Sequence, residues 1–198
     1  MHPNQCFHWQ DRDAMAEFIR AVGFGMLFAD TPDGPRVAHV PAILDNDRLL
    51  FHLAKGNALT KHLADRTGLF VVNGPEAYVS PDWYGEDDQV PTWNYIAVEL
   101  EGTVSKLSKD ELIAQADALS GAQEARYDKE PWTRSKMRDG LFEKMLGGIT
   151  GFALEPKAWR GTIKLNQNKP DDAIHNAADA IEAHGRPAIA HWMRNLPL

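Results

Sequence analysis

Between Gly25 and Ala54 the chain turns sharply twice, and those turns limit its fold more than any other feature. Thr31-Pro32-Asp33-Gly34 and Asp45-Asn46-Asp47 carry the proline, glycine, Asp and Asn residues that tight turns require. They separate three strand-like runs, 25–30, 36–44 and 48–54. Two hairpins in succession make an antiparallel meander. Further strands are expected at 68–74, at 76–80 as its continuation past a bulge at Gly74-Pro75, and over 95–107, where Ile96, Val98 and Leu100 alternate. The segments 149–156 and 159–165 read as final strands. Six or seven antiparallel strands with inserted helices suit a mainly β fold, either a small barrel or a sandwich.

The helices show in capping and periodicity. Asp11 can cap 12–22, where Met15, Phe18, Ile19 and Val22 form one apolar face. Asn57 can cap a short helix over 58–65. Ser108 and Glu111 form a capping box for 109–125. A basic helix is expected over 134–146, with Met137, Leu141 and Met145 on one side. Pro170 opens another that Gly185 ends, and 187–195 adds a short one. The expected organisation is one domain, 1–198, with a helical insertion at about 108–147 and a helical tail at about 170–198.

Charge and cysteine content restrict the function. The net charge of -7 argues against a dominant nucleic-acid surface, which needs clustered Lys and Arg. The single cysteine, Cys6, cannot form an intrachain disulfide. No basic and then apolar leader opens the sequence, and no window of about 20 apolar residues could span a bilayer. A cytoplasmic protein without a membrane partner is the expectation. The histidines form no metal motif, although His39 and His52 lie on neighbouring expected strands and could approach each other. No hydrolase pattern or catalytic residue stands out.

Rare residue types concentrate in 77–95, AYVSPDWYGEDDQVPTWNY. Aromatic faces at Trp83 and Trp93 lie beside the polar groups of Ser80, Thr92 and Asn94. That combination suits a planar ligand with polar edges, or a structural aromatic corner. The junction FHLAKGNALTKH ends a strand and offers Lys55, Asn57 and Lys61, which is either a phosphate site or an ordinary capped surface helix. KLNQNK supplies Lys164, Gln167 and Asn168 just before a helix. It is either a donor cluster or a solvated loop.

The motifs YVSPDWY and VPTWNY resemble the signature of the PaiB-like family, the FMN-binding negative transcriptional regulators. MHPNQCFHWQD, FHLAKGN, GGITGF and KLNQNK resemble its other blocks, in the same order, across most of 1–175. At the start His2 stands where a tyrosine is common, and His8-Trp9 is displaced. The resemblance implies an FMN-binding split β-barrel, a homodimer, and flavin sites at the subunit interface. One chain would then supply the Lys55–Asn57 phosphate junction and the other part of the Trp93 wall. DNA as a partner is implied by the resemblance alone. The other readings are a flavin-dependent oxidoreductase acting on a small molecule, a haem-binding split barrel, and a dimer whose flavin site has decayed.

Overall fold

The computed structural model describes residues 2–196. Its elements in chain order are β1 (His8–Trp9), α1 (Arg12–Val22), β2 (Phe24–Thr31), β3 (Gly34–Asp45), β4 (Arg48–Ala54), β5 (Arg66–Val79), β6 (Thr92–Lys106), α2 (Lys109–Glu124), α3 (Leu141–Leu146), β7 (Ile149–Lys164), α4 (Asp171–Ala183) and α5 (Pro187–Arg194). The strands are ordered β1-β7-β4-β3-β2-β5-β6, and β6 also pairs with β7. That last pairing closes a ring of hydrogen bonds, with β1 attached outside it. The fold is therefore mainly β, a closed antiparallel barrel with added helices. Closing the ring leaves no long free edge between β7 and β6.

Two compact units are distinguished. One holds Ala16–Val72 and Glu99–Trp159; the other holds the described residues through Met15, Asn73–Val98, and the described residues from Arg160 onward. In the first, β2 pairs with β3 along its whole length, from Phe24 opposite Pro41 to Thr31 opposite Gly34. The two hairpins thus form as the turn residues dictate. Leu27, Leu49, Phe51, Leu53, Phe70, Phe152 and Leu154 fill the interior. Phe51 stacks on Phe152 with ring centroids 5.8 Å apart. Helix α2 covers the outside of β3 and β4, which is why Leu50 is buried with Leu107 and Ala153 although its strand neighbours face the other way. Its capping box forms: the Ser108 hydroxyl accepts from the Glu111 amide, and the Glu111 carboxylate accepts from the Ser108 amide.

In the second unit α4 and α5 pack together through Ala177, Ala178, Ile181, Ile189, Ala190 and Met193, all buried. The Trp192 ring meets Trp9 edge-on at 6.1 Å. At the end of α4, Gly185 takes φ +82°, a left-handed conformation that closes the helix.

Several expected elements differ. Residues 58–65 form no helix. They make successive tight turns, with Thr60 N–H donating to Asn57 C=O and His62 N–H to Leu59 C=O. The basic helix expected over 134–146 is broken: Arg134–Lys136 is a single 3-10 turn, and α3 starts only after Gly140, whose φ of +72° no continuing helix allows. The strands expected at 149–156 and 159–165 merge into one strand, β7, which ends at Lys164, and those expected at 68–74 and 76–80 merge into β5, which ends at Val79.

Candidate functional site

Strand β4 ends at Ala54, and the turns that follow are tied down by their own polar groups. The Asn57 side-chain oxygen accepts from Leu59 N–H at 2.9 Å. The Thr60 hydroxyl donates to Ala54 C=O at 2.8 Å. Asn57 therefore caps a turn, and the helix N-terminus expected there as an anion cradle is absent. The two lysines of this junction also separate. Lys55 lines a cavity of about 380 Å3 with Lys106, Lys109, Leu112, Glu143 and Thr150. Lys61 lines another of about 450 Å3, with Asp30, Thr31, Pro32, His62, Ala64 and Arg66.

That second cavity gathers three nitrogen bases. Among the described residues the side chains of Lys61 and Arg66 meet no carboxylate partner. Asp30 is the one acid in the lining. Two unpaired cations and an imidazole facing one carboxylate make a field that favours an anion. His62, Arg66 and Thr31 were not singled out in the sequence. Arg66 follows Lys61 closely enough to have been found, but Thr31 reaches the cavity only because β2 ends and the β2–β3 turn begins there.

The histidine pair makes no metal centre. His39 is exposed on β3. His52 is half-buried on β4, its Nδ1 3.1 Å from the Gln115 side-chain oxygen, so Nδ1–H donates to the amide and α2 holds the ring. Gln115 Nε2 is buried without a partner. No cluster of three metal-ligating side chains exists among the described residues.

The aromatic stretch builds a different site. Ser80 precedes the turn Pro81–Trp83, and its C=O accepts from Trp83 N–H. Tyr78 meets both tryptophans edge-on, Trp83 at 6.3 Å and Trp93 at 6.2 Å. Trp83 lies tilted over His184, with centroids 5.1 Å apart. These rings, with Ala77, Ile181 and Arg186, line a cavity of about 170 Å3. A cavity of roughly 150 Å3 accepts one benzene ring. The space among these rings is therefore enough for one ring, and it is open to solvent on one side. Trp93 is 54% exposed in the single chain. Asn94 beside it is wholly buried: its amide nitrogen lies 3.4 Å from Met193 Sδ, and its oxygen has no partner. Tyr78, His184 and Arg186 were missed as site residues, and the last two come from the α4–α5 connection far along the chain.

KLNQNK turns most of its polar groups inward. The Lys164 ammonium donates to the Thr92 hydroxyl and, at 2.9 Å, to Trp93 C=O, and it lies 5.9 Å from the Phe7 ring centre. Burial lowers its pKa. The Gln167 side-chain oxygen accepts from Leu165 N–H, and its nitrogen donates to Ile163 C=O and Cys6 C=O. Asn166, at φ +66°, accepts from the buried Tyr84 hydroxyl, whose pKa burial raises while this bond lowers it. Asn168 is exposed.

Comparison with known proteins gives a consistent result. The chain is 28% identical to "Protease synthase and sporulation protein PAI 2" of Bacillus subtilis, over 94% of this chain and 92% of that one. Among solved structures, the flavocytochrome Anf3 from Azotobacter vinelandii superposes with a TM-score of 0.61 at 14% identity, covering 87% of this chain and 77% of that one. The FAD and heme binding protein from Mycobacterium smegmatis does so with a TM-score of 0.59 at 16% identity, covering 84% and 78%. At such identities the structures bear out the split-barrel fold and nothing finer. Residues 1–158 match the family model described as "Putative FMN-binding domain", so the chain belongs to this PaiB-like, FMN-binding family and FMN is its cofactor.

Proposed function

We propose that the protein is a homodimeric FMN flavoprotein that oxidises or reduces a small molecule. The phosphate end of FMN is assigned to the cavity of Thr31, Lys61, His62 and Arg66. The observation that carries this reading is the pair of cations there with no carboxylate partner among the described residues. The donor set fits the group: a phosphate dianion takes charge-assisted bonds from an ammonium and a guanidinium, while the Thr31 hydroxyl already donates to Gly34 C=O and only walls the cavity. Bound FMN supplies the electron or hydride transfer. The residues here bind the phosphate, fix the cofactor's position and neutralise its charge. A second copy completing the site would link FMN binding to dimerisation, because a ligand that binds only the paired state stabilises it by mass action.

The negative-regulator role implied by the family resemblance has less support from this chain. The net charge is -7, and the segment expected to be its most basic helix is interrupted at Gly140. A regulatory effect would then run through the flavin's state rather than through direct reading of DNA.

Flavin fluorescence titration, sedimentation with and without FMN, and anaerobic mixing of the loaded protein with a nicotinamide donor test the proposal. Saturable binding, a tighter dimer with FMN and bleaching of the flavin band are expected. An unreduced flavin, together with retardation of the protein's own upstream DNA at micromolar concentration, would replace the oxidoreductase with a direct regulator.

A further inference from the structure

The aromatic cavity at the C-terminal end of α4 has the dimensions and the polar groups of a second ligand site, separate from the FMN phosphate cavity. Three aromatic rings form its walls, and two of them are about half exposed, Tyr78 at 46% and Trp93 at 54%. Single exposed aromatics occur elsewhere on the chain, as at Tyr127 and Phe24, but here the exposed rings are grouped around one cavity, and grouped apolar surface marks binding sites. The two edge-on contacts of Tyr78 set both indole planes steeply to its own, at 77° and 74°. Such a corner presents ring faces to whatever enters, and the space of about 170 Å3 admits one six-membered ring.

The polar groups at its rim decide the ligand's charge. Arg186 Nη1 donates to Glu76 at 2.9 Å. Both side chains of that pair are about half exposed, so the pair is weak and exchangeable. The guanidinium has five donors in a planar fork, and one pairing leaves donors for a second carboxylate. His184 Nδ1 lies 2.7 Å from Ala180 C=O. A carbonyl only accepts, so Nδ1 carries the proton and Nε2 of the neutral ring is left as an acceptor. Among the described residues the acid at the rim is Glu76, already paired with Arg186, and none stands in the lining itself, which disfavours a cationic guest. The geometry points to a binding site for a monocyclic aromatic carboxylate: its ring lies among Tyr78, Trp83 and Trp93, its carboxylate on Arg186, and a ring hydroxyl can donate to His184.

Calorimetric titration of the FMN-loaded protein with benzoate and 4-hydroxybenzoate tests this, with the flavin spectrum followed in the same samples. Saturable binding at one site per chain is expected, tighter for the hydroxylated acid, with the flavin retained. Arg186→Ala should weaken binding at least about tenfold, the loss of a charge-assisted contact. Glu76→Gln should tighten binding by releasing the guanidinium. Both side chains are exposed, so neither change removes core packing. Wild-type affinity in Arg186→Ala, or tighter binding of benzyltrimethylammonium than of benzoate, would overturn the assignment. So would absence of saturable heat at millimolar benzoate. Displacement of FMN by benzoate would also overturn it, because the cavity would then belong to the flavin.

Discussion

The turns after β4 and the loop after β7 look alike in sequence, each a short run of lysines and amides, yet they use those groups in opposite ways. After β4 the amide and hydroxyl of Asn57 and Thr60 hold the backbone, and Lys61 and Arg66 have no carboxylate partner among the described residues and line a cavity. After β7 the cation itself is used inward. Lys164 is held by Thr92 and Trp93, and Gln167 satisfies three backbone groups around it. A loop can recognise an anion only with donors its own backbone does not already occupy. Residue type shows what a donor can do, and its partners show whether it is free to do it.

The largest effect should come from removing the free cations. Lys61→Ala with Arg66→Ala should weaken FMN by about 100-fold or more, because each charge-assisted contact contributes roughly 1.5–3 kcal/mol. The melting temperature without FMN should barely move, since neither side chain has an ion-pair partner among the described residues. Flavin titration and thermal melts read the two quantities separately. A large loss of stability with unchanged FMN affinity would reverse the contrast between the loops.

Gln167→Ala should do the opposite. It leaves Leu165 N–H, which belongs to a wholly buried residue, without its acceptor, and it removes donors to two carbonyls. A loss of about 2 kcal/mol in denaturant unfolding is expected, at roughly 0.5–1.5 kcal/mol per bond. FMN affinity should stay within about twofold, as the side chain has no donor left for a ligand. A tenfold loss of FMN with unchanged unfolding would make this loop part of the cofactor site.

The barrel was largely legible because its strands carry their own markers. Turn residues fixed β2, β3 and β4, and alternation fixed β6, where every second residue from Asn94 to Val104 is buried. Where reading failed, a long-range contact was responsible. Pro156 reads as the end of a strand. Gly102 has no side chain to collide with the Glu155 carbonyl, so β6 approaches closely and β7 continues through the proline. The helix expected behind Asn57 fails because Leu59 and Leu63, read as one inward face, are buried from a chain of turns instead. The sites were legible only in part. Trp83 and Trp93 were found as neighbours in sequence, whereas His184 and Arg186 reach them from the α4–α5 connection, about 90 residues later, by packing that no local pattern encodes.

The smallest predicted effect concerns the cation that the second loop holds inward. Burial lowers the pKa of Lys164 in the folded protein below the ordinary lysine value of 10.5. Between that lowered value and 10.5 the unfolded chain carries more protons at this site than the folded one. Stability therefore rises with pH across that window, since unfolding takes up a proton and alkali disfavours it. Below the window the ammonium is charged in both states and its desolvation opposes folding in full. Above the window that opposition is gone. Lys164→Met removes the titrating group along with its bonds to Thr92 and Trp93, so the absolute stability of the variant is uninformative and the slope carries the answer. Unfolding midpoints of both proteins, measured from pH 8 to the onset of alkaline unfolding, should show wild type gaining on the variant as pH rises. A constant difference would mean that Lys164 is as well hydrated as Lys61, and the contrast between the two loops would then rest on Gln167 alone.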